Sequence, residues 1–184
     1  DGEKYNAVVT LGQNEGMYRK THLLPFGEYL PWQPLSGLLL NSLKIKLGNF
    51  TPGKKDQPLL VAGGYPFITS ICYEDVFSDR ARAGLPEGAY LVNVTNDGWF
   101  GNSIEPYQHM QLARMRALET GRFLLRATNT GLTGIVGPDG KIKSRAPLFK
   151  AVALTGKINP MGGMTPYARW GDTPIIWLLA WALG

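Results

Sequence analysis

The only cysteine in this 184-residue chain, Cys72, ends an apolar, β-prone stretch and is followed at once by Tyr73 and two acidic residues. This pattern predicts a strand over residues 67–72 and a short helix over residues 74–83, in which the two carboxylates complement the helix dipole. A thiol at the end of a strand can act as a nucleophile when a base or a positive charge favours its thiolate. The alternative is a small, buried structural cysteine.

Four other side chains could assist such a thiol. His22 and His109 are candidates for a Cys–His pair, although neither has a protease-like local sequence, and a structural histidine is the alternative. Lys20 has few acidic neighbours, so its ammonium group could favour the thiolate and then stabilise an oxyanion. A solvated surface lysine is its alternative. Glu28 lies in an apolar loop, where a carboxylate needs a partner, so we expect an ion pair or hydrogen bonds there.

Composition excludes several classes of protein. One cysteine rules out an internal disulfide framework and a cysteine-based zinc site, and we expect neither a metal nor a cofactor. The sequence contains no Walker loop, dinucleotide-binding glycine pattern or HExxH motif. The net charge is +5, but the basic residues are scattered, so we expect no nucleic-acid partner. A mildly basic surface is equally compatible with anionic lipid headgroups.

The predicted elements form a mixed α/β pattern that could hold these groups. Strands are predicted over residues 5–11, 17–23, 59–61, 90–95, 123–128, 132–136 and 151–158. The best helix is predicted over residues 106–122, and a Pro-Asp-Gly turn at 138–140 predicts a hairpin over residues 135–144. Residues 35–50 interleave leucines with lysines, which fits a core helix or a membrane-surface element. The order of elements predicts a layered α/β (α+β) domain over residues 1–172.

The chain ends on twelve uncharged residues, 173–184, with the sequence TPIIWLLAWALG. A membrane-spanning helix needs about 20 apolar residues, so this stretch is too short to cross a bilayer. We interpret it as the start of a C-terminal transmembrane helix that continues further. A C-terminal helix docked into the core is the alternative.

Several ordered motifs resemble the nitrilase, or carbon–nitrogen hydrolase, superfamily. They are residues 18–29 (YRKTHLLPFGEY), 71–74 (ICYE), 93–101 (NVTNDGWFG), 106–119 (PYQHMQLARMRALE) and 164–169 (MTPYAR). Within the superfamily, they are most similar to its membrane-bound branch that acylates bacterial lipoproteins. Together they cover essentially the whole chain.

The resemblance implies an α-β-β-α sandwich, incomplete here at its N-terminal side, with a Glu-Lys-Cys triad. Cys72 matches the nucleophile, Lys20 the triad lysine and Glu28 a second glutamate beside the triad. Tyr73 and Glu74 match the positions that flank the nucleophile. We also expect Trp99 and Phe100 to support substrate binding, because they lie in a loop that follows a strand. The triad's general-base glutamate normally lies on a strand before residue 1, so we expect the chain alone to be inactive.

The resemblance also implies a two-step reaction at the bacterial inner membrane, with the catalytic domain facing the periplasm. Cys72 would take an acyl chain from a phospholipid as a thioester and pass it to the N-terminal amine of a diacylglyceryl-cysteine lipoprotein. The apolar stretches 26–32 and 35–47 could admit acyl chains from the bilayer. Two alternatives remain open: a soluble nitrilase-type amidase that uses water, and a non-catalytic binding module without the triad glutamate.

Overall fold

A six-stranded mixed sheet is the centre of the fold. The computed structural model describes residues 2–31 and 48–184. The strands of this sheet, in spatial and sequence order, are β3 (Leu60–Ala62), β4 (Tyr65–Ile71), β5 (Tyr90–Thr95), β6 (Leu124–Thr128), β7 (Gly134–Val136) and β8 (Ile142–Arg145). Strands β4, β5 and β6 are parallel, and the other pairs are antiparallel. The carboxyl ends of the three parallel strands therefore meet at one edge of the sheet, where open α/β sheets bind ligands.

Crossover helices cover one face of this sheet. Helix α1 (Ser78–Ala83) connects β4 to β5, and helix α2 (Glu105–Thr120) connects β5 to β6. The buried side of α2, with Met110, Ala113 and Ala117, packs on Ile68 and Leu124 of the sheet. This spacing of apolar residues at intervals of three and four follows the period of an α-helix.

A second small sheet covers the opposite face. Strands β1 (Ala7–Thr10) and β2 (Gly16–Arg19) form an antiparallel pair. Tyr18 of β2 packs in a buried cluster with Leu60, Phe67 and Tyr90 of the larger sheet. Helices, a large sheet and a small sheet thus form successive layers, as expected for the layered α/β class and consistent with an α-β-β-α sandwich.

Two predicted elements are wrong. Residues 151–158 form no strand; this segment packs Ile158 on the sheet without a ladder of its own. Residues 74–83 do not form one helix, because a 3-10 segment, Cys72–Val76, ends at Phe77 in extended conformation before α1 begins. The predicted hairpin is confirmed, with Gly140 in the left-handed region (φ 70°) that its tight turn requires.

The C-terminal residues form two helices, α3 (Pro166–Trp170) and α4 (Thr173–Leu183). No residue of α4 is buried, and Trp177 and Trp181 are 72% and 85% exposed. A helix docked into the core is therefore wrong for the described residues. No helix among residues 2–31 and 48–184 has the length and apolarity that a bilayer crossing requires. The predicted element at residues 35–47 lies outside the described residues.

A buried arginine ties the turn after α2 to two distant loops. Arg122 is 1% exposed and donates hydrogen bonds to the carbonyl oxygens of Gly88 (2.7 Å), Pro86 (3.3 Å) and Gly163 (2.8 Å). Its guanidinium also donates to the carbonyl of Thr120 at 3.2 Å. Burial lowers the pKa of Arg122. One side chain thus satisfies backbone carbonyls from three segments that have no regular partners there.

We expect Arg122→Met to lower the free energy of unfolding by about 2–4 kcal/mol, because the carbonyls stay buried and lose a charged donor. Urea denaturation would measure this loss. The matched control is Arg114→Met on α2, whose guanidinium bonds one carbonyl, that of Gly140, and the Gln111 side chain. It should cost less than about 1 kcal/mol. Equal losses of unfolding free energy in the two variants would contradict the conclusion that Arg122 stabilises the fold by joining three segments.

Candidate active site

Cys72 lies where β4 stops, at the edge where the carboxyl ends of the parallel strands meet. It is half-buried and adopts φ 52°, a left-handed conformation that is uncommon for a residue with a Cβ. Such a conformation costs on the order of 1–3 kcal/mol and persists only where surrounding contacts hold it, frequently at functional sites. The predicted strand end at the cysteine is confirmed, and the turn that follows is a 3-10 segment, Cys72–Val76.

Glu74 holds this turn against the segment that carries Lys20. Its carboxylate accepts hydrogen bonds from the backbone N–H of Ile71 (2.8 Å), of Thr21 (2.7 Å) and of His22 (3.1 Å). Ile71 directly precedes Cys72, and Thr21 directly follows Lys20. One carboxylate therefore fixes the backbone beside the candidate nucleophile to the backbone beside the candidate lysine.

The Glu74 side chain is itself completely buried, at 0% exposure. The Tyr18 hydroxyl donates a further hydrogen bond to it at 2.7 Å. Burial and then the Glu74 charge raise the pKa of Tyr18, so this phenol remains a donor at neutral pH. Glu74 and Asp75 do lie in the first turn of the 3-10 segment, where a carboxylate complements the helix dipole, and both are in addition buried and bonded to specific partners.

Lys20 and Glu28 form a buried ion pair beside this turn. Lys20 is 1% exposed, and its Nζ lies 2.8 Å from Glu28 Oε2. The Asn6 side-chain amide donates to Glu28 Oε1, and the Leu24 N–H donates to Oε2 at 2.7 Å. The expected partner of Glu28 is thus confirmed, and the alternative of a solvated Lys20 is wrong. The pairing explains how an otherwise costly buried ammonium is retained.

An apolar pocket adjoins the nucleophile turn. It has a volume of about 420 Å³ and a mostly apolar lining. The His22 ring stacks on Phe77 with ring centroids 4.5 Å apart, and Tyr73 meets Phe77 edge-on at 5.2 Å. Tyr73, the residue after Cys72, thus lines a pocket that could bind an apolar group. His22 therefore stacks in the pocket wall, and its Nδ1 lies 3.1 Å from the Thr21 hydroxyl.

The loop after β5 lies at the same sheet edge as Cys72. Trp99, in a short 3-10 segment (Gly98–Phe100), is 87% exposed, and the side chain of Phe100 lies outside what the structure describes. Asn96 anchors this loop, since its side-chain oxygen accepts hydrogen bonds from the Gly98 N–H (3.0 Å) and from the Asn129 amide. The role of Trp99 and Phe100 in substrate binding stays a prediction.

A buried ion-pair network beneath this edge was not predicted from the sequence. His109 on α2 lies between Asp75 and Asp97, and Arg126 of β6 reaches the other oxygen of each aspartate. Burial lowers the pKa of His109, but the hydrogen bonds to the two aspartates outweigh burial and raise the pKa to about 10. The available signal was that each aspartate follows shortly after a parallel strand, so both must reach the same sheet edge.

One part of this network resembles a metal site. Ligand atoms of Asp97, Glu105 and His109 lie within 4.8 Å of one another. A metal-bound histidine must offer a neutral ring nitrogen. Here both ring nitrogens of His109 face carboxylates, and its raised pKa keeps the ring protonated at neutral pH. In this structure the group is part of an ion-pair network in which His109 bonds two aspartates.

The site combines a thiol on a strained turn with a lysine whose neighbouring backbone Glu74 ties to that turn, in a layered α/β fold. Residues 1–163 match the carbon–nitrogen hydrolase family model, so the chain belongs to that family. It is 59% identical over 98% of its length to the apolipoprotein N-acyltransferase of Methylococcus capsulatus. It is 44% identical over 97% of its length to the apolipoprotein N-acyltransferase of Nitrosomonas europaea. The chain spans 36% of the length of each of these relatives.

Solved structures agree on the fold. The C. elegans NitFhit protein aligns with 79% of this chain and 36% of its own, at 18% identity and a TM-score of 0.57. A carbon-nitrogen hydrolase from Helicobacter pylori aligns with 71% of this chain and 47% of its own, at 16% identity and a TM-score of 0.51. These similarities confirm the nitrilase-like fold class that the sequence motifs implied.

Proposed function

We propose that this chain is the C-terminal two-thirds of a catalytic domain that transfers an acyl chain from a phospholipid to a lipoprotein. The acceptor would be the N-terminal amine of a diacylglyceryl-cysteine. The observation that carries this proposal is the 59% identity over 98% of the chain to an apolipoprotein N-acyltransferase. The buried Lys20–Glu28 pair and the tie of Glu74 to both candidate residues support it on physical grounds.

The proposed chemistry has two steps. The Cys72 thiolate attacks the carbonyl carbon of the phospholipid sn-1 ester, a C–S bond forms, the ester C–O bond breaks, and lysophospholipid leaves with a proton. The lipoprotein amine then attacks the thioester, a C–N bond forms, the C–S bond breaks, and the thiol is regenerated. Each step develops an oxyanion, which a nearby ammonium can stabilise.

Three side chains take distinct roles in this proposal. Lys20 supplies the positive charge, because its ammonium is buried and is therefore screened little by water. Glu28 holds that ammonium in place through the ion pair at 2.8 Å. The proton of the thiol would pass to a glutamate carried by a strand that precedes residue 1. The greater length of the curated relatives leaves room for such a strand.

Apolar features of the chain favour a lipid substrate over a small amide. The pocket of about 420 Å³ beside Tyr73 is large enough to hold part of an acyl chain. The side chains of α4 are exposed and apolar, with no charged residue from 173 to 184. We propose that residues 173–184 begin a transmembrane helix, and that the domain lies on the periplasmic side of the bacterial inner membrane.

The test is to incubate the complete gene product with phosphatidylethanolamine vesicles and to measure the mass of the tryptic peptide that contains Cys72. We expect a mass increase equal to one acyl chain, removed by hydroxylamine as a thioester would be, and transfer of the chain to a diacylated lipopeptide. Hydrolysis of small amides without any acyl adduct from phospholipid would instead support an amidase. Neither reaction, with folded protein, would support a binding module.

A further inference from the structure

We infer that the buried ion-pair network of Asp75, His109, Asp97 and Arg126 is a positioning device for the reaction. It fixes the nucleophile turn, residues 72–76, relative to the loop that carries Trp99, residues 96–101. None of the four side chains would touch substrate; each would act through the two segments it joins. This inference rests on the proposed function, because it assumes that both segments contact the same substrate.

The geometry of His109 makes the connection direct. Its Nε2 donates to Asp75 Oδ1 at 3.0 Å, and its Nδ1 donates to Asp97 Oδ1 at 3.1 Å. Asp75 lies three residues after Cys72, and Asp97 lies two residues before Trp99. One imidazolium therefore bridges the two segments, with a charge-assisted hydrogen bond on either side.

Arg126 closes the network from the sheet side. Its Nη1 lies 3.0 Å from Asp75 Oδ2, and its Nη2 lies 3.4 Å from Asp97 Oδ2. Nη1 also donates to Asn93 Oδ1 at 2.5 Å, which anchors the guanidinium to β5. Two aspartates thus face two cations, and all four side chains are at most 7% exposed. The charges of these four side chains balance, so they can persist in the interior, and Glu105, 26% exposed, adds a carboxylate 3.5 Å from His109 Nδ1 at the edge of the network.

The loop between β6 and β7 also packs against the loop that carries Trp99. A Cβ added to Gly131, in the loop between β6 and β7, would meet Asp97 Oδ2 at 1.9 Å. The backbone of this β6–β7 loop therefore packs directly against the Asp97 carboxylate, which His109 and Arg126 also bind. Trp99 itself is 87% exposed, so the position of its loop depends on Asp97 and Asn96 rather than on burial of the indole.

Replacement of His109 should show whether the network positions the two segments or only stabilises the fold. In a variant with His109→Gln, Arg126 is the only cation that still bonds both aspartates, Asp97 keeps the Thr95 hydroxyl as a neutral donor, and the carboxylates of the turn and the loop repel each other. The thiol would remain in place on its own strand, because Glu74 and β4 still hold it. We therefore expect reactions that need only the thiol to continue and reactions that need both segments to slow. A misplacement of about 1 Å at the reacting groups can lower a rate on the order of 10²-fold.

The experiment uses the complete gene product with His109→Gln, Gly131→Ala and the control Arg114→Gln, which lies on the same helix but outside the network. Three quantities are measured: alkylation of Cys72 by iodoacetamide, its acylation by phosphatidylethanolamine vesicles, and hydrogen–deuterium exchange of peptides 72–76 and 96–101. For both network variants we expect alkylation within twofold of wild type and acylation reduced at least tenfold. Exchange should rise in both peptides, whereas the control should change none of the three.

Exchange does not depend on the reaction, so it separates this inference from the proposed function. If wild type forms no acyl adduct but both peptides exchange faster together in the network variants, the proposed function fails and the coupling stands. If only one of the two peptides changes, or if exchange rises uniformly over the chain, the positioning role is overturned. Acylation that stays within twofold of wild type in both variants would overturn it as well.

Discussion

Replacement of Cys72 by alanine should abolish the acyl adduct while leaving the fold intact. Alanine removes the nucleophile, and nothing else in residues 1–184 offers a thiol, since Cys72 is the only cysteine. Cys72→Ser should also lower acyl transfer, on the order of 10³-fold or more, because the serine hydroxyl is far less ionised than a thiol in the same place. Both variants should unfold within about 1 kcal/mol of wild type, because the side chain is small and only half-buried.

The measurement is single-turnover acylation from radiolabelled phospholipid, with urea denaturation in parallel. A matched control is Ser70→Ala in the same strand, whose hydroxyl accepts a hydrogen bond from the Asn93 amide at 2.9 Å and takes no part in the proposed chemistry. It should retain acylation within about threefold, in line with a lost neutral hydrogen bond. Persistence of the acyl adduct in Cys72→Ala would remove Cys72 from the mechanism.

Replacement of Lys20 by methionine should have the second-largest effect, and it should act on both activity and stability. The ammonium is 1% exposed and pairs with Glu28, so its loss leaves that carboxylate with only the neutral donors of Asn6 and Leu24. Breaking a buried pair costs about 3–5 kcal/mol. We expect acylation to fall on the order of 10²–10³-fold, as for the loss of one electrostatic stabiliser of an oxyanion.

The two effects can be separated with Asn6→Ala, which removes a neutral donor from the same Glu28 carboxylate and leaves Lys20 in place. This control should lose about 1 kcal/mol of stability and keep most of its acylation activity. All rates are measured well below the unfolding temperature of each variant. If acylation in Lys20→Met and Asn6→Ala fell only in proportion to the folded fraction, Lys20 would be structural rather than catalytic.

Local signals in the sequence were sufficient for several elements of the fold. The strand Tyr90–Thr95 was predicted at its observed bounds, and the predicted helix over residues 106–122 is observed as Glu105–Thr120. The strand is a mostly apolar run, and the helix has apolar residues at helical spacing and ends before Gly121, which lies in the left-handed region (φ 64°). Residues 151–158 have a β-prone composition, but no strand in the described part of the chain pairs with them, and a strand requires such a partner.

The order of residues was enough to predict the residue types of the candidate site, the strand that ends at Cys72 and the family resemblance of its motifs. The contacts of those residues follow from the folded arrangement of the chain. The burial of Lys20 against Glu28, the reach of Glu74 across more than fifty residues to Thr21, and the bridge from Asp75 through His109 to Asp97 depend on how layers and parallel strands come together. Periodicity and propensity report only on near neighbours along the chain, so they contain no information about these long-range pairs.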